Sequence, residues 1–251
     1  MTQTNLGPRP TGSPANQATA DFIQQQLAQA GWQTEVQPFI FKGVPGRNII
    51  ARRGQGPLLI LAAHYDTRPA ADHDPDPTRR AEWTVGANDG ASGVAVLLEL
   101  ARVLPEQGLE SEVWLVFFDA EDQGGLAGWP FAVGSRYLAA SLTRTPEAVV
   151  VVDMVGDRDQ QFFYERFSSR ALQTELWSVA AQLGYAAHFR PHLRHTIIDD
   201  HLPFRERNIP AIDLIDFDYP YWHTTTDTAD KVDPASLERV GRTLEAWLEG
   251  R

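Results

Sequence analysis

The stretch Leu58-Leu59-Ile60-Leu61-Ala62-Ala63-His64-Tyr65-Asp66 decides the fold. Six apolar residues run without polar alternation and then break into His64 and Asp66. A run of that length with no exposed face is expected of a strand covered on both sides, as in a parallel sheet between helical layers. Two more runs share the pattern: Val113–Phe118 leads into Asp119-Ala120-Glu121-Asp122, and Ala148–Val152 leads into Asp153. Ligands of open α/β sheets bind beyond the carboxyl ends of the strands. Three strand ends that each release a histidine or carboxylates therefore point to one functional edge.

Helices are expected between these strands. Ser13-Pro14 reads as a helix start with proline in the first turn, followed by Ala18, Phe22, Ile23 and Leu27 at helical spacing and by Gly31 as a stop. Gly90–Leu104 carries Val94, Leu97, Leu98 and Ala101 on one face, and Ala171–Leu183 and Pro234–Leu248 read as later helices. Thr34–Phe41 and Arg47–Arg53 are extended and separated by a short Gly/Pro link, which suggests an antiparallel pair at an edge. Pro210–Ile215 is a further buried strand. The alternation predicts a three-layer α/β sandwich with a mixed, mostly parallel sheet and helices on both faces. Residues 1–251 read as one domain, with no repeat or linker. The long Pro/Asp-rich loop Pro69–Thr78 follows a strand, a setting in which loops are often functional.

The composition excludes several classes. With a net charge of -11 and no Lys/Arg block, the chain has no basic face for nucleic acid. It has no cysteine, so any metal must be held by histidine and carboxylates. No stretch reaches membrane-spanning length, and Met1–Pro8 does not read as a signal peptide. The chain as given reads as soluble and cytoplasmic, or as exported if a leader has been trimmed. Composition leaves the oligomeric state open.

Taken singly, the polar residues have ordinary explanations. Asp89 precedes a helix and would serve as its N-cap; Asp66 and Asp119 would bond loop amides. Convergence changes the reading. His64, Asp89, Asp122, Asp153 and His223 make up the inventory of a His/carboxylate metal site. Glu121 stands beside one of them, where a carboxylate that does not bind metal can act as general base. His64-x-Asp66 places a carboxylate where it can orient the imidazole.

Five segments, Ala63–Asp66, Gly86-Ala87-Asn88-Asp89-Gly90-Ala91-Ser92-Gly93, Phe117–Asp122, Val152–Gly156 and Trp222-His223-Thr224, occur in an order that resembles metallopeptidase family 28, the zinc aminopeptidases, and especially its glutaminyl-peptide cyclotransferase branch. The likeness runs from Gly7-Pro8-Arg9 to the last helix. It implies that Asp89, Asp122 and His223 hold a catalytic zinc and that Glu121 is the general acid/base. In aminopeptidases of the family, counterparts of His64 and Asp153 hold a second zinc, with Asp89 bridging. In the cyclotransferases one zinc is usual, and counterparts of Asp153 and Asp199 form a carboxylate pair near the base. Asp122 departs from the commonest pattern, in which Glu stands at this position.

Trp222 before His223, the segment Asp199-Asp200-His201-Leu202-Pro203-Phe204 and the pair Tyr219-Pro220 resemble the cyclotransferase branch. Trp222, Tyr219 and Trp129 are the expected substrate-pocket walls. His201 is expected only to cap a helix near the site. His73, His188, His192 and His195 are expected to be solvated in polar loops. The resemblance thus implies conversion of N-terminal glutamine of peptides to pyroglutamate with release of ammonia. Hydrolysis of N-terminal residues by a one- or two-zinc aminopeptidase is the alternative, and a non-catalytic peptide-binding module is a third reading. Retention of Glu121 and His223 speaks against the third.

Overall fold

The computed structural model describes residues 2–105, 107 and 109–251; Met1, the first residue of the segment read above as no signal peptide, lies outside them. A short helix α1 (Thr2–Asn5) is followed by α2 (Pro14–Gln29), the hairpin β1 (Gln33–Phe41) and β2 (Val44–Arg53), and β3 (Leu58–His64). Then come α3 (Ala91–Val103), β4 (Glu112–Phe118), α4 (Val133–Ser141) and β5 (Ala148–Asp153). The rest comprises β6 (Phe162–Glu165), α5 (Arg170–Gln182), β7 (Phe189–His195), α6 (Leu202–Arg205), β8 (Ala211–Ile215) and α7 (Pro234–Glu249).

The main sheet has the order β1-β2-β4-β3-β5-β8. β1 pairs antiparallel with β2, and β2 antiparallel with β4, whereas β4, β3, β5 and β8 are mutually parallel. The edge hairpin and the parallel centre are as the sequence predicts. Alternate residues of the central strands enter opposite cores. Leu59, Leu61 and Ala63 join the larger core with residues of α2, α3, α5 and α7, while Leu58, Ile60 and Ala62 face the smaller core with α4 and α6. Helices thus cover both faces, which is why Leu58–His64 is buried along its whole length.

Local chemistry sets the element boundaries. Ser13 caps α2 by accepting from Asn16 N, and Pro14 stands in its first turn. The buried stripe of α2 is Thr19, Ala20, Ile23 and Leu27; Ala18 and Phe22 sit half-buried beside it. α3 begins at Gly90, not through an Asp89 cap: Gly90 has φ 87 and no side-chain cap bond is formed. A Cβ on Gly90 would lie 2.4 Å from Asp66 O, and one on Gly93 would lie 2.0 Å from Val152 O. Only glycine lets the start of this helix press against β3 and β5.

A second, two-stranded parallel sheet, β6–β7, is not visible in the sequence pattern. β7 is Phe-Arg-Pro-His-Leu-Arg-His with five exposed central residues, so it carries neither an apolar run nor a two-residue alternation. His192 and His195 therefore lie on a strand, not in loops, each ring edge-on to Phe163. His188 is half-buried with Nδ1 2.9 Å from Gln160 O. Among the described residues, no helix is long and apolar enough to cross a membrane.

Candidate metal centre and active-site cleft

Sheet register places the first ligands. β3 and β5 align Leu61 with Val150 and Ala62 with Val151, so the same register carries His64 level with Asp153. Their side chains meet with His64 Nε2 3.1 Å from Asp153 Oδ1, and the same nitrogen is 3.2 Å from Asp89 Oδ1. β4 ends level with His64 at Phe118, and the chain then turns through Ala120 at φ 61. Asp66 fixes that turn by accepting from Glu121 N on Oδ1 and from Asp122 N on Oδ2, both at 3.1 Å. It thereby points the base and a metal ligand in set directions. Its Oδ1 is also 3.6 Å from His64 Nδ1, close but outside hydrogen-bond range.

Asp89 is held from a different element. Asp227 accepts from Asn88 N at 2.9 Å, from Asp89 N at 3.1 Å and from Tyr219 Oη at 2.7 Å. His223, at φ 55, sits where its Nε2 lies 3.0 Å from Asp122 Oδ1 and 3.7 Å from Asp89 Oδ2. Met154, after Asp153, is also left-handed at φ 44. Met154 and His223 line one cleft and Ala120 directly precedes its Glu121, each left-handed residue costing roughly 1–3 kcal/mol that surrounding contacts must offset.

Among the described residues, two fully buried sets of donors result, Asp89, Asp122 and His223, and His64, Asp89 and Asp153, each with its atoms within 4.8 Å of one another. Asp89 belongs to both. All five residues are buried, and Asp122 Oδ2 has no hydrogen-bond partner. A crowd of buried acids resists ionising together. Burial and the charge of Asp89 raise Asp122 to about 6, and burial and the charge of Asp199 push Glu121 well above the usual carboxylate range. Asp199 is pushed up in the same way by burial and by Asp153 and Asp200. Burial alone would lower His223, but Asp122, Asp72 and Asp89 bring it to about 9. An excess of buried carboxylate over cationic side chains, with an orphaned oxygen and oxygen and imidazole donors, fits a divalent cation of zinc's ligand preference.

The cleft beside these groups has a volume of about 150 Å³. Glu121, Asp199 and the first donor set line its floor; Phe131, Ile198, Phe217 and Trp222 supply apolar walls. Trp222 stacks on His223 with centroids 3.9 Å apart. A larger groove of about 410 Å³ lies between α3 and α7, but its charged residues pair along the helix surfaces, as in Glu99–Arg102 and Arg242–Glu245. Size alone therefore does not mark the site.

The structure brings together His64, Asp89, Glu121, Asp122, Asp153, Asp199, Trp222 and His223. Two expected walls lie elsewhere. Trp129 packs edge-on against Phe41 at 4.8 Å, in a cluster with Phe39 and Val133, and Phe131 takes the wall position. Tyr219 is buried behind the cleft with its hydroxyl on Asp227. His201 occupies the N-cap position of α6, yet its side chain makes no cap bond. It is fully buried, 3.2 Å from Glu165 Oε2, because α6 packs against β8 and turns the ring inward. His73 is exposed, as expected, but its ring stands edge-on to Trp222 at 4.3 Å, at the rim. The supporting residues Asp227 and Arg68 have no sequence signal beyond their positions in loops, whereas Asp72 falls within the Pro69–Thr78 loop.

Comparison with known proteins bears on the fold and the family. Residues 48–248 match peptidase family M28. The chain belongs to that family. It is 29% identical to a glutaminyl-peptide cyclotransferase of Gloydius blomhoffii, over 99% of this chain and 80% of that protein. The solved glutaminyl cyclase of Porphyromonas gingivalis superposes with a TM-score of 0.93 at 34% identity, covering 99% of this chain and 94% of that one. A Zn-dependent exopeptidase from Parabacteroides distasonis superposes at 0.92 with 31% identity, covering 100% and 95%.

Proposed function

We propose that this member of peptidase family M28 is a zinc-dependent glutaminyl-peptide cyclotransferase, which converts N-terminal glutamine of a peptide to pyroglutamate and releases ammonia. The observation that carries the reading is the narrow cleft in which Glu121 and Asp199 face the Asp89/Asp122/His223 donor set beneath apolar walls. The likeness to glutaminyl cyclases supports it. A zinc ion held by Asp89, Asp122 and His223 would supply Lewis-acid polarisation of the substrate's side-chain amide carbonyl.

The nucleophile is the substrate's own α-amine, so the site must fold the glutamine side chain back until nitrogen and amide carbon are in contact. A cleft of about 150 Å³ suits one such side chain. Trp222, Phe217, Phe131 and Ile198 impose the shape and keep competing water out. The bond from the α-nitrogen to the side-chain carbonyl carbon forms, and the bond from that carbon to the amide nitrogen breaks. Glu121 takes the one proton the amine gives up and returns it to the departing nitrogen, which leaves as ammonia. Burial and the neighbouring Asp199 raise the basicity of Glu121, which suits both halves of that transfer. Asp199, with Asp153, holds the amide nitrogen or shares a proton.

The second donor set, His64/Asp89/Asp153, favours a second reading: hydrolysis by a two-zinc aminopeptidase, with water as nucleophile and Glu121 as its base. We propose one zinc, because Asp89, Asp122 and His223 all line the cleft beside Glu121, whereas His64 of the second set does not. Incubating the zinc-supplemented protein with a Gln-initiated and a Leu-initiated peptide separates the readings. Cyclisation releases ammonia from the first and no leucine from the second. Free leucine without ammonia overturns the assignment.

A further inference from the structure

We propose that Arg68 and Asp72 form a clamp that positions His223 for the catalytic cation and sets its spacing from Asp122. The inference rests on the metal-ligand part of the proposed function and assigns both as positioning residues. Arg68 is buried, and its guanidinium bridges Asp72, which faces His223, to the backbone of Asp122. Nε donates to Asp72 Oδ1 at 2.8 Å and Nη2 to Asp72 Oδ2 at 2.6 Å. Nη1 donates to the carbonyls of Asp122 at 3.2 Å and Gly124 at 2.9 Å. Asp72 Oδ1 in turn stands 3.3 Å from His223 Nδ1, a buried nitrogen that makes no hydrogen bond in the structure.

A metal-bound imidazole uses one nitrogen on the ion and needs a carboxylate or carbonyl at the other to fix tautomer and ring orientation. Asp72 is placed for that task, and the bidentate fork from Arg68 fixes its plane. Backbone contacts strap the two loops together. His73 N donates to His223 O at 3.2 Å, and Thr225 donates to Asp74 Oδ2 from N at 3.0 Å and from Oγ1 at 2.5 Å. The left-handed backbone of His223 needs such support. The same guanidinium lies over Phe131, 5.6 Å from the ring centroid, so the clamp also backs a cleft wall.

Asp72, His73 and His223 also come within ligand distance of one another. Both Asp72 oxygens are taken by Arg68, however, so the cation belongs on the Nε2 side of His223 and Asp72 acts from behind.

The test is zinc titration of the full chain against a competing chelator. Asp72→Ala should weaken zinc binding by roughly 10–100-fold, with Asp72→Asn weakened less, and the number of ions per chain unchanged. Turnover measured at saturating zinc should fall by a smaller factor than the affinity. Asp76→Ala, in the same loop but outside the clamp, should leave zinc affinity unchanged. Arg68→Lys, which loses the fork, should behave like Asp72→Asn; because Arg68 is buried and its replacement can unfold the chain, the half-buried Asp72 carries the decision. Zinc affinity of Asp72→Ala within about twofold of the parent overturns the clamp, as does loss of an ion from His73→Ala. Failure of the cyclisation reading would instead show as absence of ammonia release from the parent protein.

Discussion

The two donor sets that share Asp89 are built from different material. His64 and Asp153 are brought level by the register of adjacent parallel strands, and their side chains touch at 3.1 Å. Asp122 and His223 come from loops and depend on other groups for their place: Asp66 holds the Glu121–Asp122 turn, and Arg68 and Asp72 flank His223. The loop-borne set lines the cleft in full with Glu121, Trp222 and the apolar walls, whereas of the sheet-borne pair only Asp153 reaches it. The contrast shows what separates a reactive centre from a merely ligand-rich one. In the sheet-borne pair His64 Nε2 and Asp153 Oδ1 engage each other and His64 Nδ1 is left without a hydrogen bond, whereas the loop-borne set leaves an orphaned carboxylate oxygen on Asp122, which lines the cleft.

The sharpest way to break this contrast is to remove the base of the cleft that the loop-borne set lines in full. Glu121→Gln should lower ammonia release by at least ~100-fold while zinc content and melting temperature stay near those of the parent. Near-normal turnover would remove Glu121 from the chemistry. Next, alanine at each histidine compares the sets directly. His223→Ala should lose bound zinc in equilibrium dialysis, and His64→Ala should retain about one zinc per chain. A fall from about two to one on changing His64 would establish the two-metal arrangement.

A smaller effect belongs to the wall. Trp222→Ala should raise KM for a Gln-initiated peptide about tenfold, the equivalent of one to two kcal/mol (~1.5) of lost apolar contact, with kcat less affected. An effect on stability with none expected on turnover lies away from both sets, at Glu165. It accepts from the backbone of Phe167, Ser168 and Ile197 and faces His201, and these contacts outweigh the burial that would raise it, bringing it from 4.5 to about 2. A carboxyl depressed on folding contributes stability that is fully present above its unfolded value and lost as pH falls through its folded one. Thermal melts should therefore show Glu165→Gln reduced by about 2 kcal/mol near neutrality, and the gap to the parent narrowing between pH 4.5 and about 2.

Much of the centre was legible because strand ends advertise themselves. An apolar run that stops at His64, Asp119 or Asp153 fixes both a buried strand and the polar residue at its carboxyl end. Trp129 is expected in the cleft from its proximity to Glu121 along the chain and Tyr219 from the resemblance of Tyr219-Pro220, and neither fixes where a loop side chain points. The chain turns through Ala120, Ala127 and Ala132, all with positive φ, and this turns Trp129 back onto Phe41 and presents Phe131 instead. The β6–β7 sheet was illegible for another reason: an exposed, cationic strand has no hydrophobic period to read.

Sequence by itself determined the layered α/β architecture, the absence of cysteine ligands and the inventory of acids and histidines, since these depend on local apolar runs and on residue type. Tertiary structure decided how that inventory divides into two sets around Asp89, which aromatics face the cleft, and that Arg68 and Asp72 stand behind His223. Those relations join residues such as Arg68 and Asp122, or Asp72 and His223, that are far apart in the chain and meet only because loops at one sheet edge fold over each other. No period or spacing records a contact of that kind; it exists only once the strands are in register and the buried polar groups have found their partners.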